Sequence, residues 1–576
     1  MEAASISNEV LPFGSPLIAL FSLVPLYITL YRAKSYKACF WYMFFQAITV
    51  HLLSSFWLAN FRDFAVFTLG ASAVGTGWLA GQMGLFFHIM PAQQEKTYII
   101  EENGGFHHFS QFSRILWFCA CWICWEWFKS TGFLAYPWGT LFLGAYRWKI
   151  LTQIADITGP WGISFLFALF AAFVGEGLMT LRDMPHAQAP QHVAMRYRQC
   201  AKFTAVLFAL SAVYGLFQYF LPRVPEKSIN TIIVQQNIDP WEGGEQQSIT
   251  ISQGLTEKAA DFMRSHGQEP ELVLWSEGVL EHPFPRDRSY YEIHPEEESL
   301  GSFIRRMHVP FIIGGTTVIN PEKKHYANSA IFFDKAGMYA GFYSKIHLVP
   351  FAEAIPFADT PLMKLCMEKT VGFSSGYTSG NQYVLFKVPV DTSRYLSAPL
   401  EENRSPFATI PLNSFGMADP AVTEQFIQNH VPNPRNFVSF TTPICFEDAF
   451  PDVCRKLFLM GSEVFMNITN DSWSRTASAE YQHFVAASYL AIEYRTTLVR
   501  CANAGYSVVV DPAGHIIDDL PVFTADALCA KVPVYERHIT FFARWGDWLI
   551  FLCFCCMGVY VLYAYVCLRF CMKNRA

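Results

Sequence analysis

Charge is scarce in this chain. Of its 576 residues only 16% are Asp, Glu, Lys or Arg, against about 25% in soluble globular proteins, while 52% are hydrophobic. Low-complexity, collagenous and disordered classes are excluded, because 53 Phe, 26 Tyr and 15 Trp are far more apolar surface than such chains carry. Basic tracts are missing as well, and a formal net charge of -6 offers nothing to neutralise a run of phosphates, which argues against nucleic-acid binding. Paired metal-ligating cysteines are also wanting. Of 15 Cys, five lie in the polar part of the chain (Cys366, Cys445, Cys454, Cys501 and Cys529), with neither C-x-x-C spacing nor neighbouring His clusters. A structural disulfide stays open there, but no metal and no other cofactor is expected. Cys121 and Cys124 do make a C-x-x-C, yet between tryptophans in an apolar run they read as packed, inert thiols. Finally, Met1 to Glu9 holds no Lys or Arg, so it is no secretory n-region, and no cleaved product is expected.

What the chain does have is long apolar runs: Val10 to Tyr31, Ala38 to Ala59, Ala65 to Met90, Ile115 to Ala135, Trp161 to Leu181, Phe203 to Leu221 and, much later, Trp548 to Leu568. Each approaches the ~20 residues a helix needs to cross the ~30 Å hydrocarbon layer. The first is the weakest, since Pro12, Pro16 and Pro25 interrupt it. The reading is a polytopic α-helical membrane protein in three parts: a membrane domain over 1–222 with about six spans, a soluble domain over 228–535, and a last span with its tail over 545–576. Orientation follows from Lys and Arg. With the soluble domain outside, the inner segments hold Arg32, Lys34, Lys37, Lys96, Arg114, Arg182, Arg196, Arg198, Lys202, Arg569, Lys573 and Arg575, whereas the opposite loops hold Arg62, Arg147 and Lys149. That bias places the soluble domain outside the cytoplasm.

Within the soluble region, short β-branched and aromatic runs recur at Thr231 to Gln235, Glu271 to Trp275, Pro310 to Ile313, Ser329 to Phe333, Tyr383 to Val388, Thr442 to Phe446, Glu463 to Ile468, Thr497 to Cys501, Ser507 to Val510 and Ala527 to Val532. Helical patterns such as Ile251 to Arg264 and Gln482 to Tyr494 lie between them, so an α/β domain with a buried sheet is predicted. Asp391 to Phe440, rich in Pro, Ser and Asn, breaks the rhythm and reads as a long inserted loop.

Three groups stand where polar chemistry is costly. Glu277 ends ELVLWSE, Lys345 sits in YSKIHLVPF and Cys445 ends TTPIC. A carboxylate, an ammonium and a thiol at strand ends satisfy one another when brought together. They also make a covalent catalyst: the acid takes the thiol proton, the ammonium favours thiolate and oxyanion, and sulfur attacks an acyl carbon. Taken singly, each is more often a rim charge or a small buried hydrophobe.

The segments WSEGVLEHPF, YSKIHLVPFAEAIPF, ICFEDAFPDV, NITNDSW and AIEYRTTLVRCANAGYSVVVDPAG resemble the nitrilase (carbon-nitrogen hydrolase) superfamily and, within it, the apolipoprotein N-acyltransferases. Trp125-Glu126-Trp127, the PWG turn at Pro137 to Gly139 and QIADITGPWGISF from Gln153 extend the likeness into the membrane part. The resemblance implies a nitrilase-type α-β-β-α sandwich, with Glu277 as base, Lys345 as electrophilic stabiliser and Cys445 as nucleophile. It further implies Glu353 as support for the lysine, the Phe446 N–H in the oxyanion hole, and Trp241, Glu447 and Trp473 as pocket residues. The reaction it implies is acyl transfer from a phospholipid, through a Cys thioester, to the α-amino group of the diacylglyceryl-modified N-terminal cysteine of an apolipoprotein. Its setting would be the bacterial inner membrane, with the catalytic domain in the periplasm. The alternative is a membrane-tethered amidase acting on small carbon-nitrogen substrates. Departures are Trp-Ser-Glu-Gly where Trp-Pro-Glu-Thr is commoner, Phe446 for Tyr and Ser474 for Phe; none removes Glu277, Lys345 or Cys445. Intramembrane Glu126, Lys129 and Glu176 invite a transport reading, but Glu126 and Lys129 are spaced to pair on one helix face, which favours a structural role.

Overall fold

A computed structural model of the chain describes residues 1–61, 65–89, 111–132, 134–183, 190–239, 241–322, 325–350, 352–354, 376–390, 407–412 and 436–573. The chain divides into two compact units, one formed by Met1–Leu221 with Arg544–Ala576, the other by Pro222–Ala543.

In the first unit, helices occupy all seven apolar runs. The first run is broken into Pro16–Ser22 and Val24–Tyr31, where Pro25 has no N–H to continue the ladder. Tyr36–Ser54, Ser72–Phe87, Gln111–Lys129, Pro160–Asp183, Pro190–Phe220 and Trp548–Lys573 follow. Among the described residues, Pro160–Arg182 and Tyr197–Phe220 are long and apolar enough to cross a membrane.

The distribution of polarity in this unit is inverted. Large apolar side chains face outward, including Leu210, Val213, Phe217, Val559 and Leu562, each more than 60% exposed. Several polar groups lie inside and find partners there. Glu176 accepts from the Tyr27 hydroxyl at 2.7 Å and pairs with Arg114. Glu126 accepts from Trp122 Nε1 at 3.1 Å and from the Leu141 N–H, while Lys129 Nζ donates to the Trp138 and Gly139 carbonyls at 2.9 Å. Glu126 and Lys129 thus hold backbone as well as facing one another along a helix. Asp547 accepts from the indoles of Trp127 (2.8 Å) and Trp161 (2.7 Å), and Trp548 Nε1 donates to the Ile157 carbonyl at 2.7 Å.

The second unit contains two sheets. Their strands are β1 (Lys227–Gln235), β2 (Leu272–Phe284), β3 (Phe311–Asn320), β4 (His325–Phe333), β5 (Tyr339–Ser344), β6 (Gln382–Pro389), β7 (Phe407–Pro411), β8 (Phe437–Thr441), β9 (Val464–Thr469), β10 (Thr497–Ala502), β11 (Val508–Val510), β12 (Ile516–Asp519) and β13 (Asp526–Val534). One sheet has the order β13-β1-β2-β3-β4-β5, the other β12-β11-β10-β9-β8-β6-β7. Strands β1, β2 and β3 run parallel, as do β8, β9 and β10, so their carboxyl ends open together on each sheet.

Alternation decides which side chains go where. On the first sheet Ile232, Val234, Val273, Trp275, Phe311 and Ile313 form one core with Phe303 and Met263, from the helices Leu300–Met307 and Glu245–Ser265. The Trp275 indole donates to Thr256 Oγ1 at 2.9 Å, so its single polar atom is satisfied there. The opposite faces of the two sheets meet. Cys501 of β10 places its sulfur 3.3 Å from the Val234 carbonyl and 3.4 Å from that of Leu274, and Lys227 of β1 pairs with Glu463 beside β9 at 2.7 Å. Helices Pro451–Leu459 and Ala477–Glu493 cover the second sheet. The result is an α-β-β-α sandwich.

Several expected elements differ. The predicted strand Thr442 to Phe446 is not a strand: β8 ends at Thr441, and Cys445–Ala449 forms a 3-10 turn. Strands β5 and β12 were not predicted; β12 is exposed along its whole length and has no alternation to betray it. Within the expected insertion Asp391 to Phe440, β7 pairs with β6, and β8 begins at Phe437. Residues 391–406 and 413–435 lie outside the described part.

Candidate active site

Glu277 sits within β2 between Ser276 and Gly278, where the strand changes register against β3. Two glycines make that possible. Gly278 has φ +78°, and a Cβ at Gly314 would stand 2.3 Å from the Ser276 carbonyl and 2.5 Å from the Glu277 Cα, so only glycine lets β3 approach here. Lys345 follows β5; its N–H donates to the Asn328 carbonyl at 2.8 Å, and its own carbonyl accepts from Gly380 at 2.7 Å. The ammonium is thereby aimed inward with 0% exposure.

Lys345 Nζ lies 2.8 Å from Glu353 Oε2 and 3.4 Å from Glu277 Oε1. Asn328, on β4, ties the same two acids together: its Nδ2 donates to Glu277 Oε1 at 2.6 Å and to Glu353 Oε1 at 2.8 Å. Glu277 Oε2 accepts from the Asn470 N–H at 2.8 Å. Glu353 also accepts from the Val349 N–H at 2.9 Å, so this half-buried carboxylate is bonded to the lysine and to backbone rather than standing free at the surface. Asn328 carried no signal in the sequence, being one amide in an otherwise ordinary strand.

Cys445 adopts φ +49°, in the left-handed region that costs a residue with a Cβ of order 1 kcal/mol or more. The turn is held by Glu447. Its carboxylate accepts from the N–H groups of Ile444 (2.8 Å), Ile346 (2.7 Å) and His347 (3.1 Å), and from the Tyr343 hydroxyl. Glu447 is fully buried, and both its oxygens are engaged by these donors. It fastens the segment after Lys345 to the turn that carries Cys445. Phe446 is buried, with its ring 4.6 Å from Phe450. Trp241 sits in an exposed loop, 37% accessible, and Trp473 occupies the short 3-10 turn Ser472–Ser474.

Electrostatics couple the three groups. Burial opposes the charge on Lys345, but Cys445, Glu353 and Glu277 outweigh it and hold the amine well above the usual lysine range. Burial, with Glu353 adding to it, pushes the Glu277 carboxyl up, and Lys345 opposes the shift. Burial, then Glu277 and Asp471, push the Cys445 thiol far up, against Lys345. The resting arrangement is a thiol held toward its neutral form and electrostatically coupled to an ammonium that two acids share.

Behind Cys445 lies a group that the sequence reading missed. His483 Nδ1 is 2.7 Å from Asp471 Oδ2 and its Nε2 is 2.9 Å from Asp448 Oδ1, while Arg500 pairs with Asp448 and stands 3.6 Å from Asp471. The available signal was Arg500, a charge in the middle of the apolar strand TLVRCA.

The chain is similar to known proteins over most of its length. Residues 3–173 match the family described as apolipoprotein N-acyltransferase N-terminal domain, and residues 270–537 match carbon-nitrogen hydrolase. The chain is 40% identical to apolipoprotein N-acyltransferase 2 of Treponema denticola over 546 residues, 94% of this chain and 92% of that one. It is 34% identical to apolipoprotein N-acyltransferase 2 of Treponema pallidum over 574 residues (96% and 91%), and 27% identical to the apolipoprotein N-acyltransferase of Borreliella burgdorferi over 549 (94% and 90%). With this sandwich, and aligned over more than nine-tenths of its length with these relatives, the chain belongs to the apolipoprotein N-acyltransferases, an enzyme family within the carbon-nitrogen hydrolase superfamily.

Proposed function

We propose that the chain moves an acyl group from a phospholipid to Cys445 as a thioester, and from there to the α-amino group of the diacylglyceryl-modified N-terminal cysteine of an apolipoprotein. The observation that carries this reading is the position of Lys345 Nζ, 2.8 Å from Glu353 and 3.4 Å from Glu277 and electrostatically coupled to Cys445.

Glu277 accepts the thiol proton, and the thiolate adds to the ester carbonyl of the donor. Lys345 and the Phe446 N–H stabilise the oxyanion; collapse breaks the ester C–O bond, and Glu277 returns the proton to the departing hydroxyl. In the second half the acceptor amine adds to the thioester, Glu277 takes an amine proton, the C–S bond breaks and the proton returns to sulfur. Glu353 and Asn328 keep the ammonium and Glu277 in register throughout. Trp241 and Trp473 serve as aromatic pocket residues in this reading.

Membrane placement belongs to the same reading. Outward-facing Leu210, Phe217 and Val559 suit lipid contact, so residues 1–222 form a multi-pass domain with about six spans and 545–576 a returning span and tail, flanking a catalytic domain over 228–535. The excess of Lys and Arg on the opposite side supports an extracytoplasmic, periplasmic catalytic domain at the bacterial inner membrane. Both substrates are lipid-anchored, and tethering on either side of the catalytic domain keeps the thiol at the surface where they meet.

Mass spectrometry of the intact protein after exposure to phospholipid tests this. A hydroxylamine-sensitive acyl adduct on Cys445 is expected. Turnover of soluble amides without any such adduct would select a tethered amidase instead.

A further inference from the structure

The buried charges behind the nucleophile are not used in the reaction just described. His483 projects from the helix Ala477–Glu493, Asp448 from the turn Cys445–Ala449, Asp471 from the segment after β9 and Arg500 from β10. Arg500 and Asp448 are essentially without solvent exposure, and His483 is 3% exposed. The Cys445 sulfur, a carboxylate oxygen of Asp471 and a ring nitrogen of His483 lie within 4.8 Å of one another.

That trio has the residue types of a metal site, but its geometry argues otherwise. Each ring nitrogen of His483 faces a carboxylate oxygen at hydrogen-bond distance. An ionised carboxylate only accepts, so each nitrogen must carry a proton, and the ring has no lone pair to offer a metal. Arg500 pairs with Asp448 and stands 3.6 Å from Asp471, a cation placed between the two carboxylates. Glu480, one turn earlier on the same helix, has its carboxyl pushed well above the usual range, first by burial and then by Asp471, which favours its neutral form. Two anions are then balanced by two cations.

We infer that His483 is a positioning residue of the nucleophile, an imidazolium clamped between Asp448 and Asp471 that cancels the negative charge of Asp471 behind the Cys445 sulfur. The inference rests on the acyl-transfer reading for its purpose, though not for its test. Without that cation, an aspartate within 4.8 Å would oppose every step in which sulfur becomes thiolate. Asp448, three residues past Cys445 in the same turn, makes the clamp mechanical as well, because the helix Ala477–Glu493 then holds the turn in its left-handed conformation. The direction of the His483 shift agrees: burial disfavours the charge, but Asp471 and Asp448 outweigh it and raise the ring to about 9.

The test reads Cys445 directly, with no lipid substrate. The full-length protein in detergent micelles is alkylated with iodoacetamide across a pH series, and modification of the Cys445 peptide is followed by mass spectrometry. His483→Asn is expected to move the midpoint upward by at least one pH unit, Asp471→Asn alone to move it downward, and the two together to return it toward the starting value. A merely structural role predicts additive damage instead, so a double variant worse than either single, or a midpoint that His483→Asn leaves in place, overturns the inference. Should the variants fail to fold, the unaltered protein still decides: ¹⁵N-histidine spectra at pH 8 must contain an imidazole with both nitrogens protonated, and their lack of one overturns it too. Loss of the lipid adduct with the alkylation pattern intact would instead count against the acyl-transfer reading alone.

Discussion

Tyr343 donates its hydroxyl to both oxygens of Glu447, at 2.9 and 3.0 Å, across 104 residues of sequence. The strand that ends just before Lys345 and the turn that begins at Cys445 are therefore one rigid piece, joined through a carboxylate. Glu447→Gln keeps the volume but turns an NH2 against donors. It is expected to lower the rate of thioester formation by roughly 10²-fold and to destabilise the protein by about 1–3 kcal/mol, read by adduct kinetics and thermal unfolding. An unchanged rate would separate this carboxylate from the catalytic geometry.

Cys445→Ser and Lys345→Ala should each leave no hydroxylamine-sensitive adduct. Glu277→Gln should slow both half-reactions by roughly 10² to 10⁴-fold, since each requires a proton to leave and return. Full activity in any one of the three removes that residue from the chemistry.

Asn328→Ala deletes the amide that joins Glu277 to Glu353. The two acids then repel across the lysine without a shared donor, and a loss of roughly 10-fold or more in adduct formation is expected, with a smaller change in unfolding temperature. Equal losses in both would mark it as a folding residue.

Stability should depend on pH through His483. Its folded value, about 9, lies above the ordinary 6.5, so the folded state binds the proton more tightly. The contribution, about 3 kcal/mol, is present in full below pH 6.5 and is lost as pH rises through 9. Denaturant unfolding at a series of pH values would show the decline, and His483→Asn should flatten it.

Gly314→Ala places a methyl 2.3 Å from the Ser276 carbonyl, where backbone cannot give way. Destabilisation of about 2 kcal/mol or more is expected from thermal unfolding, together with slower thioester formation as Glu277 is displaced.

Much of this could be read from the residues themselves. Glu277 and Lys345 were legible because each charge ends an apolar run, where only a partner makes burial tolerable. Cys445 was found for the wrong local reason, since TTPIC has the composition of a strand but the backbone turns at the cysteine to make a 3-10 segment. The bonding role of Glu447 was not legible, because its partners include backbone N–H groups contributed by residues a hundred positions away, which no local pattern encodes. Asp448, Asp471, His483 and Arg500 come from four separate segments, so their association exists only after the sheets have packed.

The latch at Asp547 bears on how the molecule is made. Its carboxylate receives indoles from two helices synthesised hundreds of residues earlier, and Trp548 beside it reaches back to Ile157. At ordinary elongation rates the stretch between takes roughly tens of seconds to emerge from the ribosome. Throughout that interval the two indoles lack the carboxylate that later receives them, and the latch closes only once Asp547 has been made. A nascent chain that stalls before Asp547 therefore leaves an incomplete assembly for quality control to recognise.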